Sequence, residues 1–124
     1  MQKAVKNPAG HSVNFSELFE RVENDIELLR DLLTIFRRDF PHHLRALQEA
    51  VARKEMKQVQ STSHTLKGMC ANLAMARASS AAAHLEQIGR IGECAGLEDA
   101  LALFEREVAI SLSELDAYLQ EAQR

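Results

Sequence analysis

At 124 residues and a net charge of −3, the chain suffices for one domain that buries about two-thirds of its unfolded surface. It also lacks the strong basic excess of a general nucleic-acid binder. Leu and Ala dominate, β-branched residues are few and Trp is absent, a balance that favours helix over sheet. No apolar run approaches the roughly 20 residues that span a bilayer. No apolar signal core opens the chain, and its two cysteines form no disulfide framework. These features predict a soluble, cytoplasmic, all-helical domain.

Residues 1–13 mix Lys, Asn, Pro, Gly and Ser without a period and read as a flexible leader or linker, leaving 14–122 as the folded domain. Asn14 and Asn24 have the character of helix N-caps, with Glu17 and Glu27 three residues on. The first predicts a short helix through about Arg21. The second predicts a longer helix with Ile26, Leu29, Leu33 and Phe36 on one face. Pro41 interrupts this run and biases Phe40 away from helical angles. The apolar phase nevertheless continues through Leu44, Leu47 and Val51, so the choice lies between one kinked helix and two stacked ones. A break near 40–41 is the preferred expectation.

From about Glu55 a further helix carries Met56, Val59, Leu66, Cys70 and Leu73, which with small Ser63 form a narrow seam. His64 stands one step off that seam. The next helix, from about Met75 to Ile91, buries Ala78, Ala81, Leu85 and Ile88, and its alanines permit a close neighbour. Gly89, Gly92 and Gly96 then mark a fraying end and a short loop. A last helix from about Leu97 to Gln120 turns Leu101, Phe104, Val108, Leu112, Leu115 and Leu119 inward. Short connections between long amphipathic helices predict an up-and-down antiparallel four-helix bundle with a short extra N-terminal helix. One apolar stripe per helix makes a monomer the simplest expectation.

Within the third of these long segments, His64-Thr65-Leu66-Lys67-Gly68 breaks a local rule. A glycine inside a helix costs roughly 1 kcal/mol relative to Ala. Helical side chains lean over the preceding turn, so a side chain at 68 would cover residue 64. Its omission leaves the imidazole open, with the cation of Lys67 one turn away. The plainer reading makes His64 a boundary histidine and Gly68 a contact between helices. A metal site is disfavoured, because His42 and His43 are adjacent and no histidine pair has the i, i+4 spacing of a helical zinc site. Arg37-Arg38 and Arg53-Lys54 are too scattered for a nucleic-acid stripe. Cys70 reads as a small core residue and Cys94 as a loop thiol.

Ser63-His64-Thr65-Leu66-Lys67-Gly68, followed by Ala71-Asn72-Leu73 and later by Leu85-Glu86, closely resembles the histidine-containing phosphotransfer (HPt) domains of multistep two-component relays. Their pattern reads roughly A-H-x-L-K-G-x-x-x-N-L-G, then a Leu-Glu pair on the following helix. The resemblance covers about residues 15 to 120, with 63–73 and 85–86 as its specific part. It implies a helical bundle whose phosphorylated histidine, here His64, protrudes from the side. Lys67 then lies near the phosphoryl oxygens and Gly68 is the vacancy. Glu86 takes the position of a Gln or Glu beside the imidazole, and Arg90, one turn on, faces a partner or the phosphoryl group. Ser63 replaces the usual Ala, Met69 and Cys70 stand where small residues are common, and Ala74 replaces the usual Gly.

An unperturbed imidazole has a pKa of about 6.5, so its free nitrogen is available to attack phosphorus at neutral pH. Phosphoryl transfer then depends mainly on positioning and charge stabilisation. The chain shows no Gly-rich phosphate loop and no obvious carboxylate cluster for Mg²⁺. A phosphocarrier rather than an enzyme is therefore expected, without ATP binding, autokinase activity or a cofactor of its own. The aspartate and its Mg²⁺ come from a receiver domain that docks over His64. A non-catalytic helical adaptor is the alternative.

Overall fold

The computed structural model describes residues 11–122. Five helices follow one another: α1 (Phe15–Arg21), α2 (Ile26–Arg53), α3 (Met56–Asn72), α4 (Ala76–Ile91) and α5 (Leu97–Ala122). Each of α2 to α5 packs on the next, and α5 returns to α2, which closes a four-helix ring. Cross-links fix the directions. Arg37 pairs with Asp116, Gln48 with Glu105 and Lys54 with Glu98, so α2 and α5 run antiparallel. Ser79 Oγ donates to the Lys67 carbonyl while Gly89 lies against Gln60, so α3 and α4 are antiparallel too. The predicted up-and-down bundle with its short leading helix is the fold. Among the described residues, no helix is long and apolar enough to cross a membrane.

The core holds most positions the periodicity marked, while Ile26, Leu44, Met56, Ile88, Leu101 and Leu112 are only half-buried at its edge. Leu29, Leu33, Phe36 and Leu47 of α2 meet Val59, Leu66 and Cys70 of α3, Leu85 of α4, and Phe104, Val108 and Leu115 of α5, all buried. Burial pushes the Cys70 thiol up to about 12, which keeps it protonated as a packing group.

Pro41 does not break the chain: α2 is one helix of 28 residues. An interior proline costs about 3 kcal/mol. Burying a Phe or Leu side chain returns about 1.5–3 kcal/mol, and a continuous helix keeps Phe36, Phe40 and Leu47 in one core. Phe40 stacks on Phe36 at 4.9 Å between ring centroids and meets Phe104 at 6.1 Å, while Pro41 itself is exposed.

Two boundary expectations also shift. Asn14 caps α1 as predicted, accepting from the Glu17 amide at 3.1 Å. The cap of α2 is Asp25, not Asn24: its carboxylate accepts from the Leu28 amide at 3.1 Å. Asn24 instead takes a left-handed turn conformation at φ 59°, which Asn tolerates better than most residues. The expected leader ends earlier than residue 13, because Ser12 and Val13 are fully buried. Val13 bridges Met75, the Asn14 amide donates to the Ala74 carbonyl at 2.8 Å, and the Arg77 amide to the Ser12 carbonyl at 3.3 Å. Glu114 of α5 accepts from the amides of Ser12 and Val13, and Glu107 from the Ser12 hydroxyl. Residues 1–10 of the leader lie outside the described residues.

Candidate functional site

α3 owes its position to Val59, Ser63, Leu66 and Cys70, which all face inward. His64 follows the buried Ser63 and is turned outward by that one step. Its side chain is 67% exposed. Gly68, one turn on, has no atom within 4 Å of where a Cβ would stand. Helix packing therefore does not explain this glycine.

Gly89 is the packing glycine. A Cβ there would come within 2.6 Å of the Gln60 amide nitrogen and 2.9 Å of the Met56 carbonyl oxygen. It is buried inside α4 rather than part of a fraying end, and it lets the α3 and α4 backbones nearly touch. Gly92 closes α4 in the left-handed conformation, at φ 86°.

The close approach of α3 and α4 brings Glu86 to His64. Glu86 Oε2 lies 3.0 Å from His64 Nδ1, and Oε1 lies 2.7 Å from Lys67 Nζ. Glu86 is largely covered, at 18% side-chain exposure, and Lys67 is 35% exposed. The hydrogen bond from Lys67 holds the Glu86 carboxyl below its ordinary range; burial opposes this and the His64 contact assists it. The carboxylate is thus ionised at neutral pH and accepts only. A neutral imidazole facing it must carry its proton on Nδ1, which leaves the Nε2 lone pair free. The result is an exposed nucleophilic nitrogen with its tautomer set from behind and a cation at its flank.

The five residues singled out in the sequence separate into two groups. His64, Lys67, Gly68 and Glu86 form one site. Arg90 is exposed one turn beyond Glu86, beside the Gly89 contact and hence level with Met56–Gln60 rather than with His64.

The periodicity reading overlooked a cleft of about 300 Å³ between α2 and α3, lined by Leu32, Ile35, Phe36, Asp39, His43, Thr65 and Met69 among others. Thr65 joins it directly to His64. Its signal was present: Leu28, Leu32 and Ile35 recur at helical spacing beside the core stripe, and Leu28 and Ile35 are 40% and 45% exposed. α2 thus carries a second apolar stripe, contrary to the expectation of one per helix. Arg21 of α1 was also missed. It pairs with Glu17 and donates to the Ala71 carbonyl near the end of α3, two turns from His64.

Comparison with curated proteins and with solved structures returned no significant match. The family model described as Hpt domain matches residues 31–124, which takes in α2 from residue 31, all of α3 and α4, the described part of α5 and the whole His64 site. The chain is a member of the Hpt domain family, the histidine phosphotransfer modules of phosphorelays.

Proposed function

We propose that His64 is the phosphoryl-carrying histidine, charged by the phospho-aspartate of one receiver domain and discharged to the aspartate of another. The Nε2 lone pair attacks phosphorus in line. The N–P bond forms as the acyl O–P bond breaks, and the aspartate leaves as a carboxylate. The Nδ1 proton remains hydrogen-bonded to Glu86, which stabilises the positive charge that grows on the ring. On the return step neutral imidazole departs with that proton still in place. The observation that carries this reading is the solvent-open imidazole held through Nδ1 by Glu86, beside the vacancy at Gly68.

Lys67 shares Glu86 with His64 in the resting site and lies within one helical turn of the ring. It can swing to the phosphoryl oxygens without losing that carboxylate as a neighbour. The aspartate and Mg²⁺ belong to the receiver, so this chain acts as a carrier in the cytoplasm. The cleft between α2 and α3, with Leu32, Ile35 and Met69, suits the apolar centre of a docking face, and Asp39, His43 and Lys67 its polar rim. Arg90, exposed on α4 and level with Met56–Gln60, has no part in this face or in the phosphoryl site.

The test is transfer of label from a receiver phosphorylated by a small donor with Mg²⁺. An acid-labile, base-stable phosphate is expected on the chain and is lost in His64→Gln. Gly68→Gln retains its helicity and slows transfer sharply. Label that persists in His64→Gln, or receiver binding without any label, overturns the proposal; the second outcome is that of an adaptor.

A further inference from the structure

The outward face of α5 departs from the pattern of a solvated helix. Leu103 and Ile110 stand a heptad apart on it, 38% and 37% exposed, with small Ala102, Ala109 and Ser113 between and beside them. Leu103 also lines a groove of about 390 Å³ between α4 and α5, together with Ser80, Ala81 and His84 of α4. Ile91, seven residues on from His84 and hence on the same side of α4, is 59% exposed. Among the described residues, the large apolar side chains left exposed are Leu28 and Ile35 of α2 and these three, which share the α4/α5 face.

The charges of α5 single out two residues on the same face. Glu98, Glu105, Glu107, Glu114, Asp116 and Glu121 are each held by a neighbour. Asp99 and Arg106, the one base of the helix, are both exposed and have no partner among the described residues. Two helical turns separate them by about 10 Å along the axis, so each must find its counter-ion outside α5. An antiparallel copy of the same helix supplies both. Centred on Ala102 and Leu103, that copy sets Asp99 against the partner's Arg106 and Arg106 against the partner's Asp99, the two equivalent pairs that a two-fold axis requires. Leu103 then meets the partner's Leu103. Because His84 and Leu103 line one groove and α4 runs antiparallel to α5, Ile91 is level with the start of α5, where the partner's Ile110 arrives. The small residues between allow the 8–10 Å helix separation such packing needs. We infer that the α4/α5 face is an interface with a second copy of this chain, in an isologous antiparallel dimer. His64 lies against Glu86, on a different side of α4 from His84, so both copies keep it open and the inference does not rest on the phosphotransfer reading.

The test is sedimentation equilibrium of the full chain from about 1 μM to about 1 mM. A reversible monomer–dimer equilibrium is expected. Leu103→Glu weakens it about tenfold or more, since it buries two carboxylates at the centre of the contact. Arg106→Asp weakens it about tenfold, because two like-charged pairs replace two ion pairs, and Asp99→Arg does the same. The double variant Asp99→Arg, Arg106→Asp exchanges the charges and returns to within about threefold of the parent. All three positions are exposed, and an unchanged circular dichroism spectrum confirms the fold of each variant. A chain that stays monomeric throughout overturns the inference. So does a dimer that survives Leu103→Glu, or one that the double variant fails to recover. Loss of the dimer in Ile35→Glu, with Leu103→Glu unaffected, also overturns it, because the copies then meet through α2.

Discussion

Glu86 serves two neighbours at once, His64 through Oε2 and Lys67 through Oε1, and this sharing makes the site sensitive to its charge. Its carboxyl is held below the ordinary range chiefly by Lys67. A depressed folded-state value means stability that is fully present above the unfolded value, about 4.3, and lost as pH falls through the folded one. Glu86→Gln is therefore expected to lower the melting temperature by a few degrees at most at pH 7, because partly exposed pairs contribute little. The gap between parent and variant closes in thermal melts below about pH 4; a gap that persists there argues against the linkage. Ser63, directly before His64, presents the opposite case. Its hydroxyl is buried without a hydrogen-bond partner, as is that of Ser111. Ser63→Ala removes an unsatisfied polar group and is expected to stabilise the fold by about 1 kcal/mol in denaturant melts. The transfer proposed for His64 is expected to stay unchanged in the same labelling assay, since the Ser63 side chain faces the core.

At the scale of helices, two glycines of similar sequence context have opposite roles. Gly68 faces open space and Gly89 faces the Gln60 backbone. Gly68→Ala is expected to raise stability by about 0.5–1 kcal/mol, from the helix preference alone. Gly89→Ala forces α3 and α4 apart and costs about 1–3 kcal/mol, read from the same chemical denaturation series. It also pulls Glu86 from His64, so an imidazole nitrogen shift by NMR accompanies the loss. Periodicity singled out Gly68 because that reading needs only residues of its own helix, one turn from His64. It misread Gly89 because a close approach depends on the partner helix, which lies far away in sequence. The same limit explains α2. The rule for residues before proline is local, whereas the stacking of Phe40 between Phe36 and Phe104 is tertiary and outweighs it. The cap at Asp25 rather than Asn24 is a one-residue matter of which carbonyl begins the helix, and both residues have the right chemistry.

Across the whole molecule, residues that read as leader hold the far end of the bundle together. Ser12 and Val13 tie the α3–α4 corner to α5 through Glu114, and the corner itself holds Ala74 at φ 54°, a left-handed conformation that costs a side-chain-bearing residue roughly 1–2 kcal/mol. Glu114→Ala leaves two buried amides unpaired and is expected to destabilise the protein by about 1–3 kcal/mol. Hydrogen exchange should quicken at residues 12–14 and 73–77 first; uniform quickening along the chain would show that the strap is no separate unit. Sequence alone was enough for the helical class, the four long amphipathic stripes and the His64-Lys67-Gly68 cluster, because each arises from residues within a few turns of one another. The continuity of α2, the burial of the strap, the packing role of Gly89, the second apolar stripe beside α3 and the seating of Glu86 on Nδ1 were decided by tertiary structure. Each depends on contact between segments remote in the chain, where burial and hydrogen bonding across helices override local preference.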